Sequence, residues 1–226
     1  MIVIENVFNE QQLLQVRQWL QHATWDNGLV TAGQQARGVK KNQQVTAGSK
    51  VSNTVEDLLL DVLARHPAFI SAALPLKIVT PMINRYLVGE TYGLHVDNAI
   101  RVPLNSTTRI RTDLSATLFL TDPANYDGGE LEIKEQFGSQ KLKLNAGDLV
   151  LYPSTSLHQV TPVTRGERIS VVFWIQSMVR DNEQRSMLYD LDQSVQSLTG
   201  TLGHEAKEVM QLSGLYHNLI RKWSDT

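Results

Sequence analysis

The period of the apolar positions changes twice along the chain. After the apolar stretch Met1 to Phe8, read as a strand, Asn9 stands at a helix N-cap position, and Leu13, Val16, Leu20 and Ala23 recur at steps of three or four. That spacing puts them on one face and predicts a helix ending near Thr24. From Trp25 to Lys50 the chain is polar and carries Gly28, Gly33, Gly38 and Gly48, which predicts strand fragments and loops. A second helix is expected from about Asn53 to His66, with Glu56 three residues past the cap and Pro67 closing it.

After Pro75 the period falls to two. Runs of β-branched and aromatic residues extend to about residue 178, broken by turns at Asp127-Gly128-Gly129, Phe137-Gly138-Ser139 and Gly147-Asp148. Leu114, Ala116, Leu118 and Leu120 alternate with polar or small neighbours, as in a strand with one face buried. Ile169 to Ile175 is almost continuously apolar, as in a strand buried on both faces. About seven or eight strands at this spacing predict a jelly roll or barrel. Beyond Val179 the helical period returns at Leu188, Leu191, Val195 and Leu198, then at Val209, Leu212, Tyr216, Leu219 and Trp223, with Gly200 and Gly203 between the runs. A helical hairpin is expected, its apolar stripe serving either as cover for the core or as a homo-oligomer surface. The architecture so predicted is α+β. Residues 1–75 form an N-terminal strand and helix layer, 76–178 a jelly-roll (double-stranded β-helix, cupin-like) core, and 179–226 a C-terminal helical extension.

Composition narrows the chemistry. At 226 residues, 42% hydrophobic and 19% charged, the chain has the make-up of one globular domain or a domain with a small appendage. A net charge of -2 supplies no overall field to gather polyanions, so nucleic-acid binding is not expected. No apolar run approaches the roughly 18 residues of a spanning helix, and the N-terminus has neither a basic n-region nor a small-residue cleavage site, so no membrane partner and a cytoplasmic location are expected. The chain has no cysteine, which removes disulfides, thiolate nucleophiles, zinc ribbons and iron–sulfur clusters. Any metal must be held by nitrogen and oxygen, from six histidines and 23 carboxylates.

Among these, His95 and Asp97 are two apart at the end of a strand-like run, so both side chains point to one face and can chelate one metal. With this composition about 0.6 His-x-acid pairs are expected by chance, and a surface pair is an equal reading of the spacing alone. His158 follows the strand Asp148 to Tyr152. Two neutral imidazoles and one carboxylate make the facial triad that suits ferrous iron and leaves its opposite face open. Ten residues past His158, Arg168 opens the next strand. Its guanidinium is either a surface ion-pair partner or a two-pronged clamp for the far carboxylate of a dicarboxylic cosubstrate. Arg101, Arg109 and Arg111, with Arg37, Lys40 and Lys41, are either a basic substrate rim or ordinary solvated charges. His22, His66, His204 and His217 lie on or at the ends of predicted helices and are read as structural.

The stretch Asn84 to Asp97, Leu118-Phe119-Leu120, Gly128-Gly129-Glu130-Leu131, Gly147 to Pro153, and His158 with Pro162-Val163, Gly166, Arg168 and Trp174 together resemble the prolyl-hydroxylase-type iron(II)/2-oxoglutarate dioxygenases. With its helical tail the whole chain resembles more narrowly the bacterial PKHD-type hydroxylases. The resemblance implies His95, Asp97 and His158 as iron ligands, Arg168 as the partner of the 2-oxoglutarate carboxylate, and Tyr86 as a wall of the cosubstrate pocket. Animal prolyl hydroxylases carry Lys where this chain has Arg168, which supplies the same charge. The resemblance further implies Fe(2+), 2-oxoglutarate and L-ascorbate as cofactors, and hydroxylation of an unknown small-molecule or peptidyl substrate by O2 with release of succinate and CO2. Arg101 and Arg109 are the candidates for a substrate rim, against the reading of solvated loop charges. Trp174 is either core or pocket wall. The alternatives are a cupin-type metal enzyme without oxygenase activity and a binding module that senses iron or 2-oxoglutarate.

Overall fold

The computed structural model describes residues 1–31, 38–103, 106–135 and 137–225. The chain begins with β1 (Ile2–Ile4), α1 (Glu10–Leu20), β2 (Trp25–Asn27), β3 (Lys40–Lys41) and β4 (Gln43–Val45), followed by α2 (Lys50–Arg65) and α3 (Pro67–Ala73). The strand region holds β5 (Pro75–Ile78), β6 (Met82–Tyr86), β7 (Thr91–His95), β8 (Ile100–Arg101), β9 (Ile110–Arg111), β10 (Leu114–Phe119), β11 (Asp127–Gly128) and β12 (Leu131–Glu135). It continues through β13 (Gly138–Leu142), β14 (Leu149–Pro153), β15 (His158–Val160), β16 (Val163–Arg165) and β17 (Arg168–Ser177). Helices α4 (Asn182–Leu202) and α5 (Lys207–Trp223) close the chain.

The strands form an antiparallel sandwich. The larger sheet runs β1-β14-β10-β17-β6-β4-β2, with β5 also on β17, and the smaller runs β13-β12-β15-β7-β3. The larger sheet is buried on both faces, and its side-chain phases divide the work. Ile83, Leu114, Ala116, Leu118, Leu149, Leu151, Val171, Phe173 and Ile175 pack against Val16, Leu20, Val55, Leu59, Leu63 and Phe69 of the three N-terminal helices. The opposite phase, with Tyr86, Phe119, Val150 and Tyr152, meets Leu131, Ile133 and Val160 of the smaller sheet. The alternation in β10 therefore has a different cause from the one expected. Ser115 and Thr117 are each 2% exposed and face the interior of the sandwich, not solvent.

The helices also differ in detail from the sequence reading. Asn9 does cap α1, sharing a capping box with Gln12, but the helix stops at Leu20. Helix α2 starts one turn before Asn53, because Ser49 Oγ accepts from the Ser52 backbone N–H and Val51 already packs on the core. Pro67 closes α2 and also opens α3, occupying a first-turn position where its missing N–H costs nothing. His66 serves this junction, since its Nδ1 accepts from the Phe69 N–H at 3.4 Å. At the other end, Gly200 lies within α4 and Gly203 alone ends it, at φ 86°. The hairpin packs through Leu188, Tyr216, Leu219, Ile220 and Trp223 onto Leu74 and Val179. Its C-terminal end is tied to the end of β17 by the backbone bond from Asp225 N–H to Met178 O, and Met178 N–H in turn donates to Leu74 O after α3.

Candidate metal and cosubstrate site

The smaller sheet aligns the two histidines. His158 opens β15 directly opposite His95, the last residue of β7, and the ring centroids are 4.2 Å apart. Each ring has its far nitrogen committed: His95 Nδ1–H donates to the Gly93 carbonyl at 2.8 Å and His158 Nδ1–H to the Ser156 carbonyl at 3.0 Å. A carbonyl can only accept, so both rings carry their proton on Nδ1 and present the Nε2 lone pair inward. Asp97 follows β7 with its carboxylate 3.9 Å from His95 Nε2 and 3.6 Å from His158 Nε2. One donor atom from each of the three lies within 4.8 Å of the others, and the side chains are 6 to 8% exposed.

Electrostatics keeps His95 in metal-binding form. Burial first, and then the adjacent His158, hold His95 down to about 4, with the Gly93 carbonyl and Asp97 opposing. A neutral imidazole is what a metal ion needs. Tyr92 stacks on His95 at 3.6 Å between centroids, and the edge of Tyr152 meets His158 at 5.1 Å. From the larger sheet, Ser115 Oγ–H donates to Asp97 Oδ2 at 2.6 Å. Its proton being committed, Ser115 accepts from Ser154 Oγ–H at 2.8 Å. This relay fixes the carboxylate from behind, so Ser115→Ala is expected to weaken Fe(II) affinity roughly 10- to 100-fold, as loss of an outer-shell partner does. A chelator-competition titration measures it.

Across the same cavity stands Arg168, 1% exposed and paired in register with Tyr86 at the end of β6. Its guanidinium lies 5.5 Å from the Tyr86 ring and 5.1 Å from the Phe119 ring, and Nη1 donates to Ser170 Oγ at 2.7 Å. Nε and Nη2 are buried without a close hydrogen bond among the described residues, and the buried Tyr126 hydroxyl is the protein group that interacts with the guanidinium. A buried guanidinium with two idle donors is costly unless an anion completes it, and a carboxylate matches the fork. The donor set thus fits a divalent metal and the idle donors fit a dicarboxylate. Burial lifts Tyr86 to about 12 against the pull of Arg168, so at neutral pH its phenol stays protonated. Space for Arg168 depends on Gly129, at φ 64°, where a Cβ would lie 2.9 Å from Val163 Cγ2 and 3.2 Å from Arg168 Cδ. Gly129→Ala is expected to cost about 1–3 kcal/mol in backbone strain. The variant should show a lowered melting temperature and weaker 2-oxoglutarate binding together.

Of the other residues singled out from the sequence, Arg101 and Lys40 line the cavity, as does Trp174. Arg109 is exposed and is not among the lining residues. Arg111 makes a two-pronged pair with Asp113, whose Oδ2 also accepts from the Ser177 N–H, so its work is structural. Lys41 is exposed, and Arg37 lies outside the described residues. His22, His204 and His217 are exposed, away from the cavity. Ser115, Ser154, Tyr92 and Tyr152 were not anticipated. The polar phase of β10 was the available signal for Ser115.

The jelly roll encloses a His-Asp-His cluster, and the match of residues 81–176 to the 2OG-Fe(II) oxygenase superfamily sets its class among the 2-oxoglutarate-dependent Fe(II) oxygenases. Residues 182–225 match the PKHD-type hydroxylase C-terminal domain. A PKHD-type hydroxylase of Burkholderia cenocepacia is 52% identical over 225 residues, covering 100% of this chain and 99% of its own. One of Methylobacillus flagellatus is 51% identical over 226 residues, covering both chains fully. Among solved structures, a Pseudomonas putida prolyl-4-hydroxylase has a TM-score of 0.55 at 17% identity, covering 78% of this chain and 91% of its own. A Trichoplax adhaerens prolyl hydroxylase has a TM-score of 0.56 at 15% identity, covering 82% and 86%. The chain belongs to the PKHD-type hydroxylases and is a 2-oxoglutarate-dependent dioxygenase that uses Fe(II).

Proposed function

We propose that His95, Asp97 and His158 hold the iron and that Arg168, with Tyr86 beside it, receives the far carboxylate of 2-oxoglutarate. The observation that carries this reading is the Arg168 guanidinium, almost wholly buried in the cavity that the triad lines, with two donors that make no close hydrogen bond and have no acidic partner among the described residues. When bound, Fe(II), 2-oxoglutarate and O2 supply the oxidation that hydroxylates a substrate C–H bond and releases succinate and CO2.

The chain's own part is positioning and exclusion. The Nδ1–H bonds of His95 and His158 aim both Nε2 atoms at one point, and Ser115 fixes the carboxylate facing them. Arg168 decides which end of a dicarboxylate lies deep, leaving the keto-acid end toward the triad. The Tyr86 phenol is a ready donor in the same wall. Leu131, Val160 and Phe173 contribute the apolar lining that keeps bulk water out. L-ascorbate fits as the reductant that returns iron to the ferrous state after turnovers without substrate. A cytoplasmic location is consistent with the absence, among the described residues, of any helix long and apolar enough to cross a membrane. In the three-part division, residues 1–75 and 179–226 support the catalytic core at 76–178.

The test is an oxygen-electrode assay with succinate quantification, run with Fe(II), 2-oxoglutarate and ascorbate against a panel of peptides and metabolites. Oxygen uptake matched one to one by succinate, and dependent on both Fe(II) and 2-oxoglutarate, is expected. Consumption of neither would favour a metal enzyme without oxygenase activity or a sensing module.

A further inference from the structure

The cavity at the triad is narrow, about 50 Å³, and shares Met82, Arg101 and Trp174 with a second cavity of about 460 Å³. The outer cavity is bounded by the first turns of α2, the segment Val79 to Met82, and Val102-Pro103. Its volume lies in the range of small-molecule sites. Arg101 and Trp174 form the partition between the two. The guanidinium carbon of Arg101 is 3.4 Å from the centroid of the Trp174 ring. Arg101 Nε and Trp174 Nε1 are both buried donors without a hydrogen-bond partner among the described residues. Two idle donors side by side, one of them cationic, call for an acceptor that carries negative charge.

The charges at the partition point the same way, while Glu56 on the α2 wall of the outer cavity is the one acid among its lining residues, its carboxyl pushed up first by burial. Burial pushes the Arg101 guanidinium below its ordinary value and Asp97 is the acid that opposes this, yet the Asp97 carboxylate is bonded to Ser115 and lies in the triad. With the site loaded, the divalent iron, the Asp97 carboxylate, the doubly charged cosubstrate and Arg168 balance one another. The field of Asp97 is then spent on the metal, and Arg101 needs a counter-charge from elsewhere. Lys40 adds a second cation to the wall of the inner cavity. Apolar surface from Val45, Val79, Pro81, Val102 and Pro103 lines the outer cavity and suits the body of a ligand.

We infer that the substrate is a small anionic molecule seated in the outer cavity, with a carboxylate or phosphate oxygen bound by Arg101 at its partition with the inner cavity. This rests on the functional reading above, and the test separates the two. The full chain is loaded with Ni(II) in place of iron and with 2-oxoglutarate, mixed with the small-molecule fraction of a bacterial extract, and ultrafiltered. Retained compounds are identified by mass spectrometry for the wild type, Arg101→Ala and Arg101→Lys, with thermal melts confirming that each variant is folded. At least one compound besides 2-oxoglutarate should be retained, and it should carry a carboxylate or phosphate, which the mass distinguishes. Its retention should fall roughly 10- to 100-fold in Arg101→Ala, the loss expected for a hydrogen bond to a charged group, and less in Arg101→Lys. Retention of 2-oxoglutarate alone, of neutral or cationic compounds, or of the same anion equally by Arg101→Ala would overturn the inference and leave the functional reading standing. Failure of the wild type to retain 2-oxoglutarate would remove both.

Discussion

Arg168→Ala is expected to raise the concentration of 2-oxoglutarate needed for half-maximal succinate formation by roughly 30-fold to several-thousand-fold, the equivalent of about 2–5 kcal/mol for truncating one side of a buried charge pair. Fe(II) affinity, measured separately by chelator competition, should move little, because Arg168 is not one of the three clustered donors. The size of the effect follows from burial. At 1% exposure water cannot replace the lost guanidinium, so the far carboxylate of the cosubstrate would be desolvated with nothing to receive it. The converse effect belongs to the protein without cofactors. There Arg168 is a buried cation with two idle donors, and Arg168→Met, which fills similar volume without charge, is expected to raise the melting temperature of the cofactor-free chain while losing cosubstrate binding. A melting temperature that falls as cosubstrate affinity stays unchanged would assign Arg168 to the core.

His95→Ala and Asp97→Ala carry the largest expected loss. Each removes one of three donors whose atoms lie within 4.8 Å, and either should reduce Fe(II) binding and 2-oxoglutarate-dependent succinate formation to the level of a protein-free control. The folds should survive. His95 ends an antiparallel strand whose backbone pairing with β15 does not use its side chain, and Asp97 lies beyond the strand. Circular dichroism and thermal melts check that point. Undiminished succinate production by either folded variant would refute the ligand assignment.

The candidate ligands and Arg168 were legible through the family resemblance more than through their spacing, since a His-x-acid pair is expected about 0.6 times by chance in this composition, and β16 separates the strand that His158 opens from the one that Arg168 opens. The groups that support them were not. Ser115 acts only through Asp97, 18 residues earlier in the chain, and the contact exists because the larger sheet lies over the smaller. The strand alternation was visible, but a polar phase reads the same whether it faces water or a polar cavity. The basic residues show the same limit. Arg101 and Arg109 stand eight apart in one loop region, and only the β8–β9 pairing, Arg101 opposite Ile110, brings the first to the cavity wall while Arg109 stays exposed. The helix boundaries depended on competing local signals. Ser49 and Asn53 are both good caps, and the apolar Val51, which lies between them and packs on the core, decides for Ser49.

The central claim is that one cavity binds iron at His95, Asp97 and His158 and the far end of 2-oxoglutarate at Arg168. It is tested most directly by a crystal structure grown anaerobically with Fe(II) and 2-oxoglutarate, with diffraction recorded on both sides of the iron absorption edge. An anomalous peak bounded by the two Nε2 atoms and the Asp97 carboxylate is expected, with a cosubstrate carboxylate on Arg168 Nε and Nη2. Iron bound elsewhere, or a cosubstrate whose carboxylates both avoid Arg168, would contradict the account.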